Sequence, residues 1–250
     1  FVAVFFNVLI TGDGDALSIG GNHLIHALRR NVDLKIILFN NRIYGLTKGQ
    51  YSPTSEPGKI TKSTPIGSLD TPFNPISLAI GAEASFVARS VDSDRKHLTE
   101  VLRAATAHQG SALVEIYQNC PIFNDGAYDP IKDPATKESA LLQLIDGQPI
   151  KSNKYGVIKK DMGFEVVELE KVAESDLVVH DSKNEDPSYA FALSRLSGTS
   201  LEHVPVGVFR NVARPGYTSL VQGQLAEVIA SKGAGNLDSL IAGKDTWIVE

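Results

Sequence analysis

The strongest constraint on the fold is an ordered series near the start of the chain. An apolar run, Val2 to Ile10, meets a glycine-rich turn, then an amphipathic segment, then a second apolar run, "LKIILFN", Leu34 to Asn40. The first run is apolar on successive residues rather than on alternate ones, which predicts a parallel strand covered on both faces. "ALSIGGNHLIHALRRN" places Ile19, Leu24, Ile25 and Leu28 on one helical face and closes on basic residues before Asn31. Strand, helix and strand with short joins form a βαβ unit with a right-handed crossover.

The pattern continues beyond that unit. "PISLAIGAEA" predicts a helix, "SFVARS" a strand, "DRKHLTEVLRAATAH" an amphipathic helix and "ALVEIYQ" a further buried strand. The segment between Asn41 and Asn74 is rich in glycine and proline without an apolar period, and so long a structureless stretch in a compact domain is expected to build a site. The fold class is therefore α/β, a doubly wound parallel sheet over residues 1–127, with 128–250 as a C-terminal extension or subdomain completing the subunit. Within the extension, "KYGVIKKDMGFEVVELE" reads as two short strands joined by a turn, Asn184 to Pro187 as a loop, and "SLVQGQLAEVIASKG" as a helix with a glycine stop.

With 250 residues the chain can bury the core such a domain needs. Its formal charge is −5, and its Lys and Arg are scattered rather than banked, so a nucleic-acid footprint is not expected. Cys120 is the only cysteine, which rules out an intramolecular disulfide and points to a reducing cytoplasm. The opening apolar run lacks a basic flank and a small-residue cleavage site, and about ten residues cannot span a bilayer, so no membrane partner is expected. The chain starts without Met and directly in that run, as if sequence upstream were missing.

Chemistry concentrates in "TGDGDALSIGGNH", Thr11 to His23, where two aspartates stand at a strand-to-helix turn. Glycines there let backbone approach a ligand closely, and the free N–H groups of a helix start attract anions. Two carboxylates would repel a phosphate unless a divalent cation stands between them, as Mg²⁺ does when it takes carboxylate and phosphate oxygens together. Other motifs fail on spacing: Leu17 occupies the third glycine position of a dinucleotide fingerprint, no Gly-Lys-Ser or Gly-Lys-Thr follows, and Leu24 occupies the terminal glutamate position of an EF-hand loop. Asp13 or Asp15 either caps a helix or holds an ion. Asn40 and Asn41 close the next strand, and adjacent parallel strands set their carboxyl ends side by side, so Asp13 and Asn41 can face one ion.

A GDG followed at this distance by an NN at the end of the next strand resembles the diphosphate-binding motif of thiamine diphosphate enzymes. "GDGDALSIGGNHLIHALRRN", "FNNRIYGLTKGQYSPTS" and "VEIYQNC" together are similar to the β subunit of 2-oxoacid:ferredoxin oxidoreductases, and the Leu-Thr-Lys form resembles the 2-oxoglutarate branch. The match covers Thr11 to about Ala127 and resumes at "GVFRNVARPGY". The resemblance implies a thiamine-diphosphate-binding fold in which Mg²⁺ is held by Asp13, Asn41 and the backbone carbonyl of Ile43. It places Gly14 and Asp15 by the diphosphate, and Tyr44, Gly45, Leu46 and Thr47 around the cofactor. The implied reaction is oxidative decarboxylation of 2-oxoglutarate or a related 2-oxoacid to acyl-coenzyme A, with electrons passed to ferredoxin and an α subunit completing the site.

Lys48 is the substrate candidate, since an ammonium in a closed site would pair with a distal carboxylate; the alternative is a solvated loop lysine. Leu46 would line the same pocket. Cys120 alone reads as a small buried hydrophobe, whereas the resemblance makes it a ligand of a [4Fe-4S] cluster. Such a cluster takes four thiolates, and the family's other three lie in an N-terminal segment that this chain starts too late to contain. His23 and His26 lie three apart on the first helix without a third ligand, so no metal pair is expected. Glu56 is read as a loop residue, because the family takes its cofactor-activating glutamate from the α subunit. The alternatives are a non-redox thiamine-diphosphate decarboxylase or carboligase subunit, and a noncatalytic α/β binding protein.

Overall fold

The structure is a computed structural model, and it describes residues 7–247. The first residues of the expected opening strand, Val2 to Phe6, lie outside the described residues. The chain continues as β1 (Val8–Gly12), α1 (Asp13–Leu17), α2 (Gly21–Arg30) and β2 (Lys35–Asn40), the expected βαβ unit with one change. The helix expected in one piece breaks at Ser18 to Gly20, where the Gly20 N–H donates to the Asp15 carbonyl at 2.8 Å. A Cβ on Gly20 would fall 2.7 Å from that carbonyl oxygen, so the corner needs glycine. Helix α2 stops at Asn31, whose left-handed backbone (φ 52°) closes the last turn.

The remaining elements are α3 (Pro75–Gly81), β3 (Phe86–Val91), α4 (Arg95–Ala107), β4 (Ala112–Tyr117), α5 (Asp129–Lys132), α6 (Lys137–Ala140), β5 (Leu141–Leu144), β6 (Tyr155–Lys160), β7 (Gly163–Glu168), α7 (Pro187–Ser194), β8 (Val204–Asn211), α8 (Tyr217–Lys232) and α9 (Leu237–Ala242). One six-stranded sheet runs in the order β1-β2-β4-β3-β8-β5. Every neighbouring pair is parallel except β3 with β8, so the sheet is mixed and parallel-dominated. It crosses the boundary expected at residue 127, because β5 and β8 come from the second half of the chain. The two short strands expected from "KYGVIKKDMGFEVVELE" form the separate β6–β7 hairpin.

Burial on both faces falls on β3 and β4, every residue of which is buried. Strand β1, expected to be covered likewise, is instead the sheet edge, with Val8, Leu9 and Ile10 at 54%, 46% and 67% exposure. On one face Ile36, Leu38, Val87 and Leu113 pack with Leu24 and Leu28 of α2, Ile76 and Ile80 of α3, and Leu193 of α7. On the other, Val101 and Ala105 of α4 cover Phe86, Ala88, Val114 and Ile116. Helix α8 forms as expected and stops at Gly233 (φ 78°), but it buries none of its residues. The carboxyl ends of β1, β2 and β4, namely Gly12, Asn40 and Tyr117, gather at one edge of the sheet, the position where open α/β sheets hold ligands.

Candidate functional site: a buried carboxylate between two loops

Asp13 is the first residue of α1, but its side chain caps nothing: Gly12 is the N-cap and no side-chain hydrogen bond closes the helix start. The carboxylate turns inward, with Asp13 only 1% exposed. Its Oδ2 accepts from the hydroxyls of Ser52 and Thr54, both at 2.5 Å, and its Oδ1 accepts from the Asn41 N–H at 3.4 Å. Burial pushes the Asp13 carboxyl above its ordinary pKa, while the hydroxyls of Ser52 and Thr54 and the Asn41 N–H pull the other way.

The two loops that meet at this carboxylate are fixed from several sides. Asn41 follows β2, and its Oδ1 accepts from the Ile43 N–H at 3.3 Å, a local turn that aims the side-chain oxygen along the loop. Arg42, between them, holds a left-handed backbone (φ 56°), which a long side chain adopts only when its surroundings require it. They do so here: the Arg42 N–H donates to Asn40 Oδ1 at 3.2 Å, and its carbonyl accepts from the Ser55 hydroxyl at 2.6 Å.

The donor chemistry fits a hard divalent cation. Among the described residues no ion pair includes Asp13, so a buried carboxylate lacks a positive partner. An amide oxygen has two lone pairs, so Asn41 Oδ1 keeps one beyond its turn hydrogen bond. No three His, Cys, Asp or Glu gather among the described residues, so a cation here would depend on one carboxylate, the Asn41 amide and a main-chain carbonyl such as that of Ile43. Beside this group, Gly14 is buried under Tyr44, and Asp15 is exposed. A cavity of about 450 Å³ opens between Leu17, Tyr44, Ser52 and Phe73.

After Tyr44 the chain makes a short tongue, closed by pairing of Tyr44 with Gln50. Leu46 at its tip is 98% exposed, and Thr47 and Lys48 are exposed with it, Lys48 in a left-handed backbone (φ 66°). Gly45 is half-buried at the base of the tongue. The structure therefore brings Asp13, Gly14, Asn41, Ile43 and Tyr44 together and holds Leu46, Thr47 and Lys48 in solvent.

Cys120 is free and half-buried in the loop after β4. Its carbonyl accepts from the Asn124 N–H at 2.9 Å, and Asn124 Nδ2 donates to the Asn41 carbonyl at 2.9 Å. Phe123 from the same loop packs on the tongue, 3.1 Å from where a Cβ on Gly49 would sit. The cysteine loop and the Asp13 loops are thus one connected structure. His23 is exposed and His26 half-buried, as two unrelated residues of α2. Glu56 is a loop residue paired with Lys59 at 3.0 Å.

Sequence reasoning missed the residues that shape the site from beneath: Ser52, Thr54, Ser55, Asn124, and a buried pair formed by Arg89 and Glu115. The pair carried a legible signal, a single charge inside each of two otherwise buried strands, "SFVARS" and "ALVEIYQ". Arg89 Nε lies 2.7 Å from Glu115 Oε2, with side chains 1% and 0% exposed. Burial alone would lower the Arg89 pKa, but the Glu115 carboxylate outweighs it and holds the guanidinium above its ordinary value.

Residues 6–116 match the family model described as thiamine pyrophosphate enzyme, C-terminal TPP binding domain. The chain is 57% identical to the 2-oxoglutarate oxidoreductase subunit KorB of Mycobacterium tuberculosis over 97% of its own length, and 34% identical to the 2-oxoglutarate synthase subunit KorB of Archaeoglobus fulgidus over 72%. It spans 66% of the length of each. It is also 50% identical to the 2-oxoacid:ferredoxin oxidoreductase subunit beta of Saccharolobus solfataricus over 46% of this chain and 37% of that one. Among solved structures it superposes on the 2-oxoglutarate:ferredoxin oxidoreductase from Magnetococcus marinus with 2-oxoglutarate, coenzyme A and succinyl-CoA bound. The TM-score is 0.66 and the identity 28%, over 92% of this chain and 65% of that one. On these likenesses the chain belongs to the β-subunit family of the 2-oxoacid:ferredoxin oxidoreductases.

Proposed function

We propose that this chain supplies the thiamine-diphosphate and Mg²⁺ site of a 2-oxoglutarate:ferredoxin oxidoreductase, which converts 2-oxoglutarate and coenzyme A to succinyl-CoA and CO₂ and passes two electrons to ferredoxin. The observation that carries this reading is the buried Asp13 carboxylate, without a cationic partner among the described residues and flanked by Asn41. Thiamine diphosphate supplies, when bound, a nucleophilic carbon for the 2-oxo group and a sink for the electrons left as CO₂ departs. Asp13, the Asn41 side chain and the Ile43 carbonyl hold the cation, which removes the repulsion between Asp13 and a diphosphate. Gly14 and Asp15 lie by the diphosphate, and Tyr44, Gly45, Leu46 and Thr47 line the cofactor.

Lys48 pairs with the distal carboxylate of the substrate, and Leu46 fills the adjoining pocket wall. Both stand in solvent in this chain, and an α subunit closes over them, excluding water and strengthening the Lys48 charge pair. Cys120 would supply one thiolate of a [4Fe-4S] cluster, whose chemistry would be one-electron transfer toward ferredoxin, and its loop is bonded to the Asn41 carbonyl through Asn124. The single cysteine suits a reducing cytoplasm, and among the described residues no helix is long and apolar enough to cross a membrane.

The test uses the full-length subunit assembled with its α subunit. Thiamine diphosphate with Mg²⁺ raises the thermal midpoint, since a ligand that binds only the folded state must stabilise it. Ferredoxin is then reduced when 2-oxoglutarate and coenzyme A are added together. An unchanged midpoint overturns the cofactor site, and a raised midpoint without ferredoxin reduction overturns the redox assignment.

A further inference from the structure

The cation site proposed above rests on a buried polar chain that runs into the middle of the sheet. Arg89 of β3 and Glu115 of β4 are register partners, so their side chains leave adjacent strands at the same level. Glu115 takes Arg89 Nε on Oε2 and Asn40 Nδ2 on Oε1, both at 2.7 Å, and so ties β3 to the last residue of β2. Arg89 is fixed in turn: its guanidinium carbon lies 4.9 Å from the Tyr117 ring centroid and 5.4 Å from that of Phe209, and Nη1 donates to Ser197 Oγ and the Pro205 carbonyl at 3.3 and 3.4 Å. Asn40 Oδ1 faces the other way, accepting from the Arg42 N–H at 3.2 Å and lying 2.9 Å from Thr54 Oγ1, which is itself 2.5 Å from Asp13 Oδ2.

The polarity of this chain is fixed from one end. A guanidinium only donates and an ionised carboxylate only accepts, so Glu115 must meet the NH₂ end of the Asn40 amide, and the oxygen end is forced toward Arg42 and Thr54. Turned over, Asn40 would set NH₂ against the Arg42 N–H, and the left-handed backbone between Asn41 and Ile43 would lose the hydrogen bond that helps hold it. Burying an ion pair this completely costs desolvation that an apolar pair of similar size would avoid. Its contact with Asn40, the residue before Asn41, accounts for what it does.

We propose that Arg89 and Glu115 are positioning residues for the cation site, acting through Asn40 and the Arg42 N–H to orient Asn41 beside Asp13. The inference rests on the reading of Asp13 and Asn41 as cation ligands. Groups that orient metal ligands in this way change metal affinity about 10–100-fold when removed.

The test titrates Mg²⁺ by calorimetry into the assembled, full-length enzyme at saturating thiamine diphosphate, alongside the ligand-free thermal midpoint. Glu115→Gln keeps the shape but lets the residue donate as well as accept. The double variant Arg89→Met/Glu115→Gln removes both charges and leaves no unpaired buried ion. Either is expected to bind Mg²⁺ about tenfold or more weakly, with the midpoint of the double variant close to that of wild type. Arg89→Lys, which retains the charge, serves if neither folds, and is expected to weaken Mg²⁺ severalfold. A folded variant whose Mg²⁺ affinity stays within about twofold of wild type overturns the proposal, and so does a Glu115→Gln loss confined to the midpoint. Wild-type enzyme that takes up no Mg²⁺ would instead overturn the underlying site.

Discussion

Tyr44 packs directly on Gly14: its hydroxyl donates to the Gly14 carbonyl at 2.9 Å, and a Cβ built on Gly14 would fall 2.2 Å from the ring. The glycine thus makes room for an aromatic wall as well as for a ligand. Gly14→Ala is expected to displace Tyr44 and weaken thiamine diphosphate binding, with a stability loss of about 1–3 kcal/mol from overpacking. Adding Tyr44→Ala should restore part of the lost stability, since residues in contact do not act additively. Thermal midpoints of the two single variants and the double variant measure the coupling, and strictly additive losses would refute it.

Lys48→Ala should raise KM for 2-oxoglutarate far more than for pyruvate. A hydrogen bond to a charged group is worth about 1.5–3 kcal/mol, so the discrimination should shift by roughly tenfold or more. Pyruvate has no distal carboxylate and provides the internal control. Equal effects on both substrates in the assembled enzyme would remove Lys48 from substrate recognition.

Cys120→Ser should abolish the electron paramagnetic resonance signal of the reduced cluster while leaving the midpoint rise with thiamine diphosphate and Mg²⁺ intact. Its loop meets the cofactor loops through Asn124 and Phe123 rather than through the thiol, so the cation site should survive. A variant that keeps the signal would show that the cluster is ligated elsewhere.

Stability should fall as pH drops below about 6.5, in part through His180. Its side chain is 1% exposed, Nε2 donates to the Val208 carbonyl at 2.8 Å, and Nδ1 lies 3.0 Å from the Tyr189 hydroxyl, an arrangement suited to a neutral ring. Burial lowers the His180 pKa below its ordinary value of 6.5, despite the Val208 carbonyl and Asp146. The unfolded chain then binds the proton more readily, so the stabilisation is full above the unfolded pKa and is lost as pH falls through the folded one. His180→Gln should flatten the dependence of the midpoint on pH between 7.5 and 5, a range set by the ordinary histidine pKa of about 6.5. An unchanged slope would assign it to other groups.

The parts of the fold legible in the sequence were those that bury themselves locally. Strands β3 and β4 show as mainly apolar runs, broken by Arg89 with Ser90 and by Glu115, and α4 shows its period. Strand β1 has the same texture, but whether a strand lies inside a sheet or at its edge is decided by neighbours that no local pattern names. Strand β5 has only four residues, and β8 carries Pro205 and Gly207, so neither announces itself. Half of the candidate site was visible because Asp13 and Asn41 sit at strand ends, where spacing alone places them side by side. Ser52 and Thr54 were not, because a polar loop residue gains its partner only when the chain folds back over nearly forty positions. The charges of Arg89 and Glu115 stood in plain view, and each reads as an exception until it is matched with the other.

One property of the tongue follows from how its ends are tied. Asn41 before it and Ser52 and Thr54 after it all bond to the same carboxylate, so the segment from Gly45 to Gly49 leaves and re-enters the protein at a single knot. What the tip presents can then change without slackening the knot. On the proposed function the tongue is an exchangeable cassette: substitutions there should rewrite selectivity among 2-oxoacids while the Asp13 end of the site stays as it is.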